Sequence, residues 1–296
     1  MLLLKRVENI LDKSGFDYCE YTEWYSGCFD IAARRNFTLF LKILDNVDSF
    51  QETQANNLKI IAEDIDATVA LVGTHTRREW LKNDVLYERF DIPTFNPSTL
   101  ENIVVNDSMP MIYRFRGGLF AEIDAEKLKR SREDAGLSQS QLAKSVGVTK
   151  KNIYEHERQN KKAMIEAVEK IEKLIGEVAK PLDIQKSYSF EKNKSQDKFE
   201  LLVSKDLRSI GFDTDFTYQT PFNIVARESK MLVISKADDS RKKIEKSAPF
   251  IAQLSSVTRI PAVAITKEEL SIDIPSIQEK ELRELEKPRD IRKFIK

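Results

Sequence analysis

Residues 124–160 read DAEKLKRSREDAGLSQSQLAKSVGVTKKNIYEHERQN, a pattern of three short helices separated by two turns. Asp124 can cap the first, about 124–135, because its carboxylate accepts from the free N–H groups of the opening turn. Leu128 and Ala135 lie seven apart on its inward face. Gly136 suits the left-handed residue that ends a helix. Ser138 then caps a second helix, about 139–146, with Leu142, Ala143 and Val146 inward. Gly147 is free to take a positive φ, and Val148 plugs the turn into the core. Thr149 caps a third helix, about 150–158, with Ile153 and Tyr154 inward.

This stretch resembles the Cro/C1-type helix-turn-helix of phage repressors and many prokaryotic regulators. The resemblance rests on Arg132, Gly136-Leu137-Ser138-Gln139, Leu142-Ala143, Gly147-Val148-Thr149, Ile153 and Glu157, and covers about residues 122–176. Such domains usually carry a glycine after the third helix; here Arg158-Gln159-Asn160 follows, and Asn160 is a residue that can take the left-handed conformation. The resemblance implies duplex DNA as the ligand. It puts Gln139 at a helix N-terminus on a phosphate. It puts Thr149, Lys150, Lys151 and Glu155 on the exposed face that meets base edges in the major groove, with Asn152 beside them. Lys144, Lys150, Lys151, Arg158, Lys161 and Lys162 outnumber Glu155 and Glu157, which supplies a phosphate-binding excess, Lys161 and Lys162 being alternatively a solvated run. Arg132 and Glu157 read better as a structural salt bridge than as DNA contacts, and His156 as a surface or wedge residue.

The 296 residues suffice for two or three domains. Lys+Arg and Asp+Glu number 48 each, so the chain does not coat nucleic acid along its length and fits one basic element on a neutral body. No signal peptide or bilayer-spanning run is visible, and a reduced, cytoplasmic protein is expected. Cys19 and Cys28 with only His75 and His156 make no metal set, a redox pair being the alternative use of the thiols. Nine glycines leave no phosphate-cradling loop, and no cofactor is expected.

The flanks repeat one another. Residues 29–41, FDIAARRNFTLFL, align without gaps on residues 222–234, FNIVARESKMLVI, and Gly-Phe-Asp precedes both, at 15–17 and 211–213. Val69-Ala70-Leu71 matches Val263-Ala264-Ile265. Each copy reads as helix, three strands, helix, strand. The helices lie near 3–14, 50–63, 196–210 and 240–256. The strands lie near 17–24, 28–34, 38–44 and 68–73, then near 214–219, 222–227, 231–236 and 261–266.

That αβββαβ order resembles the restriction-endonuclease-like fold, whose members hold a metal with an Asp on the second strand and Glu/Asp-x-Lys on the third. Asp30 and Lys42 fit two of these places, but Phe40 stands where the middle acid belongs. The second copy has Asn223 and Val233-Ile234-Ser235. Magnesium needs converging carboxylates, so both copies are expected to be inactive, Asp30 and Lys42 being a relict or buried pair. Glu20 or Glu23 moving into the site would keep a nuclease reading open.

The expected architecture is α/β plus all-α. An N-terminal α/β domain spans 1–110, a β-hairpin connector 111–123 and the helix-turn-helix domain 124–180. A linker follows at 181–197 and the second α/β domain at 198–296. Ala163 to Val178 closes the helical core or forms a dimer seam, and the tail from Ile277 is read as a solvated helix broken at Pro288. The loop Gly73-Thr-His-Thr-Arg-Arg78 is a surface loop or an anion site. Taken whole, the chain resembles a family of archaeal helix-turn-helix transcriptional regulators. That implies a sequence-specific, non-enzymatic regulator that binds double-stranded DNA as a homodimer. The rival readings are a metal-dependent nuclease and a protein-assembly factor.

Overall fold

The computed structural model describes residues 2–21, 27–229 and 231–295. Helix α1 (Leu2–Lys13) buries Leu3, Val7, Ile10 and Leu11 along one stripe. It stops where the Phe16 N–H donates to the Leu11 carbonyl around Gly15, whose φ of 70° disfavours any side chain. Helix α8 (Lys198–Ser209) stops in the same way, with Phe212 on Leu207 around Gly211 at φ 105°.

An antiparallel meander follows each helix. In the first copy it is β1 (Asp17–Glu20), β2 (Ile31–Arg34) and β3 (Thr38–Asn46); in the second it is β10 (Asp213–Phe216), β11 (Ile224–Glu228) and β12 (Met231–Ala237). A helix then crosses back, α2 (Glu52–Ile65) or α9 (Arg241–Thr258), to a strand parallel to the third, β4 (Thr68–His75) or β13 (Ala262–Thr266). Residues 22–24 of the first expected strand lie outside the described residues.

The first copy is then extended. Strands β5 (Val85–Arg89) and β6 (Ile92–Phe95) form a hairpin absent from the sequence reading, followed by α3 (Pro97–Val104). The expected connector hairpin, β7 (Ile112–Phe115) and β8 (Gly118–Ile123), is stitched into the sheet. Strand β7 pairs with β5, and β8 pairs with β9 (Lys161–Met164), whose last two residues were expected to begin a helix. Between β8 and β9 lie α4 (Ala125–Asp134), α5 (Gln139–Val146) and α6 (Lys150–His156); α7 (Ile165–Ile175) follows. The result is a nine-stranded sheet in the order β1-β2-β3-β4-β6-β5-β7-β8-β9.

The second sheet has five strands and ends with β14 (Ser276–Gln278), after which come α10 (Glu279–Arg283) and a 3-10 turn at Pro288–Lys293. The tail is therefore not a solvated helix. Leu282 and Ile291 are fully buried against α8 and its sheet, so Pro288 opens a packed turn instead of breaking a helix.

The two copies pair with each other inside one chain. Their hydrophobic core is shared: Phe29, Phe40, Leu58 and Ile61 from the first meet Phe222, Val225, Ile234 and Ile251 from the second. The pairing is reciprocal. Arg34, at the end of β2, donates to the Thr258 carbonyl at the end of α9 (2.9 Å), and its repeat counterpart Arg227 lies 3.1 Å from Asp64 at the end of α2. Both helices end on a left-handed residue, Asp66 (φ 54°) and Arg259 (φ 59°). The polar segment between the copies is laid along this seam: the Tyr188 N–H donates to Glu63, the Glu191 N–H to Asn56, and Asn193 to Asn57 and the Phe216 carbonyl.

Asp64 makes the seam pH-sensitive. Its side chain is 1% exposed, and neither oxygen has an aligned hydrogen bond despite the nearby Arg227. Burial, followed by repulsion from Asp215, pushes its carboxyl up to about 7 against the attraction of Arg227 and Lys192. The folded chain therefore holds this proton more tightly than the unfolded chain. Stability is greatest below the ordinary carboxylate range and is lost as pH rises towards 7. Asp64→Asn is expected to flatten this loss, giving a variant that melts higher than the wild type at pH 8 and close to it only below the ordinary carboxylate range, at about pH 3.5. Equal melting temperatures at pH 8 would remove Asp64 as the cause.

Candidate nucleic-acid interface

Local capping fixes the three helices. The Asp124 carboxylate accepts from the Lys127 N–H (2.9 Å), Ser138 Oγ from Gln141 (3.2 Å) and Thr149 Oγ1 from Asn152 (3.2 Å). Gly147 is left-handed (φ 78°), and the Val148 N–H returns to the Ala143 carbonyl, which sets the turn between α5 and α6. Leu128, Leu142, Ala143, Val146, Ile153, Val168 and Ile171 close one core with Ala121 and Ile123 of β8. Helix α7 thus closes this core, as one of its two expected roles required.

Tyr154 does not turn inward. It is 46% exposed and lies under Arg158, whose Nη1 donates to its hydroxyl at 3.1 Å. Asn160 is not left-handed either: its Oδ1 accepts the Ala125 N–H, tying the end of the third helix to the start of the first.

The first turn of α6 brings Thr149, Lys150, Lys151 and Asn152 together, all exposed, with the Lys151 side chain 84% accessible. The other sequence candidates are elsewhere engaged. Gln139 donates its amide to Glu157 at 2.8 Å. Glu155 lies 2.9 Å from Lys161, whose ammonium holds its carboxylate below the usual range. Lys161 and Lys162 are neighbours on a strand, so they point to opposite faces. Lys161 stays with α6, whereas Lys162 lies over the rings of Tyr113 (4.9 Å) and Phe115 (5.2 Å) on the far side of the hairpin. His156 is half-buried, and burial lowers its pKa.

Asp30 and Lys42 form a buried ion pair. Lys42 Nζ is 2.9 Å from Asp30 Oδ1, while Asp30 Oδ2 accepts the Ile43 N–H at 2.6 Å. Burial raises the Asp30 carboxyl and Lys42 opposes the rise. Phe40 is fully buried where the acid of the motif would stand. Glu20 faces Glu8 of α1, and a hydrogen bond between the two carboxyls raises Glu8 to about 7. Glu23 lies outside the described residues. Among the described residues no three His, Cys, Asp or Glu side chains gather to hold a metal.

The strand register corrects the reading of the second copy. Ile31 faces Leu41, and its counterpart Ile224 faces Ser235, so the second hairpin is one residue longer. Lys236, not Ser235, therefore occupies the place of Lys42. It lies 3.9 Å from Asp238, with its pKa lowered by burial. Asn223, in place of Asp30, donates to Glu200 (2.6 Å) and to the Ala237 carbonyl (2.7 Å). Ile234 takes the place of Phe40 and is equally buried. Each copy thus keeps the lysine and has an apolar residue at the acid position.

Asp30→Ala tests what the first pair does. It leaves Lys42 without its partner in a site only 3% exposed, at a cost of about 1–3 kcal/mol. The loss stays in that range because a lysine, unlike an arginine, can shed its proton. Chemical denaturation reads this directly. A variant that loses divalent-ion-dependent DNA cleavage at unchanged stability would instead make Asp30 catalytic.

Both thiols resist ionisation at neutral pH. Burial pushes Cys19 up to about 11 and Cys28 higher still, so neither offers much thiolate. The loop after β4 places Arg77 and Arg78 in the open beside Arg89 of β5 and Arg114 of β7. The sequence pointed to the first two; the others join them only through the β5–β7 pairing. His75 is not part of the cleft lining, and its ring lies against Trp80 at 5.2 Å.

Residues 1–110 match the family model described as a PD-(D/E)XK superfamily domain. Over nearly its whole length the chain is similar to several archaeal proteins. A "Putative HTH-type transcriptional regulatory protein" of Methanothermobacter thermautotrophicus is 32% identical, over 99% of this chain and 95% of that protein. One of Pyrococcus horikoshii is 30% identical, over 99% and 96%. One of Thermococcus gammatolerans is 29% identical, over 96% and 92%. No solved structure matches the chain. Among the described residues no helix is long and apolar enough to cross a membrane.

Proposed function

We propose, because this chain belongs to the archaeal family named "Putative HTH-type transcriptional regulatory protein", that it is a sequence-specific DNA-binding regulator. The observation that carries the reading is the first turn of α6. Four polar side chains stand exposed at the start of a helix whose inward residue, Ile153, is fully buried. Helix α6 enters the major groove, Lys150 and Lys151 meet base edges or phosphates, and Thr149 and Asn152 flank them. Residues 124–180 form the reader. Domains 1–110 and 198–296 hold it through the hairpin 111–123 and the strap 181–197.

The flanking copies act as a scaffold and not as an enzyme. Phe40 and Ile234 leave both without the carboxylate that would complete a metal site. Because the copies pair within one chain, a homodimer that sets two α6 helices about 34 Å apart needs another surface. Leu174 on α7, 48% exposed, marks an outward apolar position of the helical unit.

Selection from a random duplex library at about 150 mM salt, where nonspecific binding is weak, tests the reading. An enriched motif is expected. A palindrome means two chains per site, and a single half-site means one. A folded protein that enriches nothing would overturn the proposal.

A further inference from the structure

The cleft around Arg77 and Arg78, about 510 Å³ in volume, is a surface cut between β4, β5 and β7. Its loop is fixed in place. The Thr76 N–H donates to the Glu79 carbonyl at 2.8 Å, Thr76 Oγ1 accepts from the N–H groups of Arg78 (3.1 Å) and Glu79 (3.0 Å), and His75 bridges to Trp80. Two acids lie in the cleft and both are spent. Asp48 takes two hydrogen bonds from Arg89, at 3.0 and 2.8 Å, and one from the Arg77 N–H at 2.9 Å. Glu79 is 2.9 Å from Arg114. Among the described residues neither the Arg77 nor the Arg78 guanidinium is in an ion pair, and both residues are exposed. Four arginines against two carboxylates leave a net excess of two positive charges, and Arg77 and Arg78 are the two outside the ion pairs, the Arg77 charge also helping to hold Asp48 below its usual range. A fixed guanidinium fork suits phosphate oxygens.

The register puts this cleft on the same side of the sheet as the helices. Val85 faces Ile112, Ile112 faces Ala121, and Ala121 faces Ala163. Alternation then places Tyr87, Arg89, Arg114, Ile123 and Lys161 on that one face. Ala121 and Ile123 are buried under α4–α7, and Lys161 reaches α6. From β5 to β9 are three strand spacings, about 14 Å. A duplex turn is about 34 Å long, so DNA seated on α6 and running along this face extends past the cleft.

We infer that Arg77 and Arg78 form a second DNA-docking site, one that binds backbone phosphates flanking the sequence read by α6. This rests on the proposed reading of α6 as the DNA reader. The site adds affinity without sequence information, as phosphate contacts do.

The test compares wild type, Arg77→Ala with Arg78→Ala, and Lys150→Ala with Lys151→Ala. Each is titrated with a selected duplex carrying long flanks and with one trimmed to the α6 motif. Loss of two phosphate contacts should weaken binding of the long duplex by roughly tenfold. It should also lower the slope of log affinity against log salt by about 1.8, with the preferred sequence unchanged. On the trimmed duplex the arginine variant should match wild type. Both arginines are exposed, so equal melting temperatures will show that the fold is intact. An arginine variant indistinguishable from wild type on the long duplex, while the lysine variant has lost specificity, overturns the second site and leaves the reader standing. Equal losses on both duplexes also overturn it, because the arginines would then act at or through α6. A wild type that prefers no sequence overturns the two together.

Discussion

Lys150→Ala with Lys151→Ala is expected to abolish sequence-specific DNA binding while the chain keeps its fold. Both side chains stand on the exposed first turn of α6, and the acid paired with Lys151, Glu155, is distant at 3.9 Å. Nothing in the core depends on them: Ile153 anchors the helix and Thr149 caps it. Melting should therefore shift by no more than a surface substitution does, about 0.5 kcal/mol. The binding loss is larger. A well-placed contact to a base edge is worth about 1–3 kcal/mol, so two correspond to a factor of roughly 30 to 20,000 between the selected site and a scrambled one. Anisotropy titrations on the two duplexes at one salt concentration measure that ratio. If the ratio survives the double substitution, α6 does not read the DNA. If affinity falls equally for both duplexes, the lysines hold phosphates and the sequence is read elsewhere. Thr149→Ala is the companion variant, because it removes the α6 cap and costs about 1 kcal/mol in stability.

What was legible in the sequence was local. Asp124, Ser138 and Thr149 cap helices whose inward residues lie within one or two turns, and so α4, α5 and α6 begin where those caps put them. The duplicated meander was legible because burial repeats with the residue type: Phe29 and Phe222, or Ile31 and Ile224, face the same kind of core. The hairpin of β5 and β6 was not, because its turn uses left-handed Phe90 (φ 51°) and Asp91 (φ 66°) and carries no glycine to announce it. A gapless alignment also hid Lys236, since the second hairpin holds one more residue than the first and only strand pairing reveals the shift. The pairing of the copies through Arg34 and Arg227 joins residues far apart in the chain, and no periodicity encodes it. The four exposed candidates on α6 came from the resemblance, while the separation of Lys161 from Lys162 needed the discovery that this segment is a strand.

Glu157→Ala should destabilise the helical unit by about 3–5 kcal/mol, the usual penalty for removing one partner of a buried ion pair, because the acid that remains to Arg132, Glu133 at 3.3 Å, is half-exposed. The Glu157 side chain is 4% exposed and Arg132 is 9% exposed. Arg132 grips the carboxylate with Nε at 2.5 Å and Nη2 at 3.0 Å, and its Nη1 donates to the Leu137 carbonyl at 2.7 Å. One residue thus ties the end of α4 and the turn before α5 to the end of α6. Burial works against the Glu157 charge, but the bonds from Arg132 and Gln139 outweigh it and hold the carboxyl below its ordinary value. Its stabilising contribution is therefore present above the ordinary carboxylate range and lost as pH falls through the lowered value. Once Glu157 is gone, Arg132 cannot escape by deprotonating, which is why the penalty exceeds that for Asp30→Ala. Sequence-specific binding should vanish as well, for a different reason than in the lysine variant: α6 loses its orientation and not its contacts. Hydrogen exchange separates the two, with protection collapsing in 125–175 for Glu157→Ala and persisting in the lysine variant. The shared core of the flanking copies contains neither Arg132 nor Glu157, so amides there should stay protected in both. Adding Arg132→Met to Glu157→Ala removes the buried guanidinium that has lost its buried carboxylate and should restore part of the lost stability. If the single and double variants melt together, the pair is not what locks the helices.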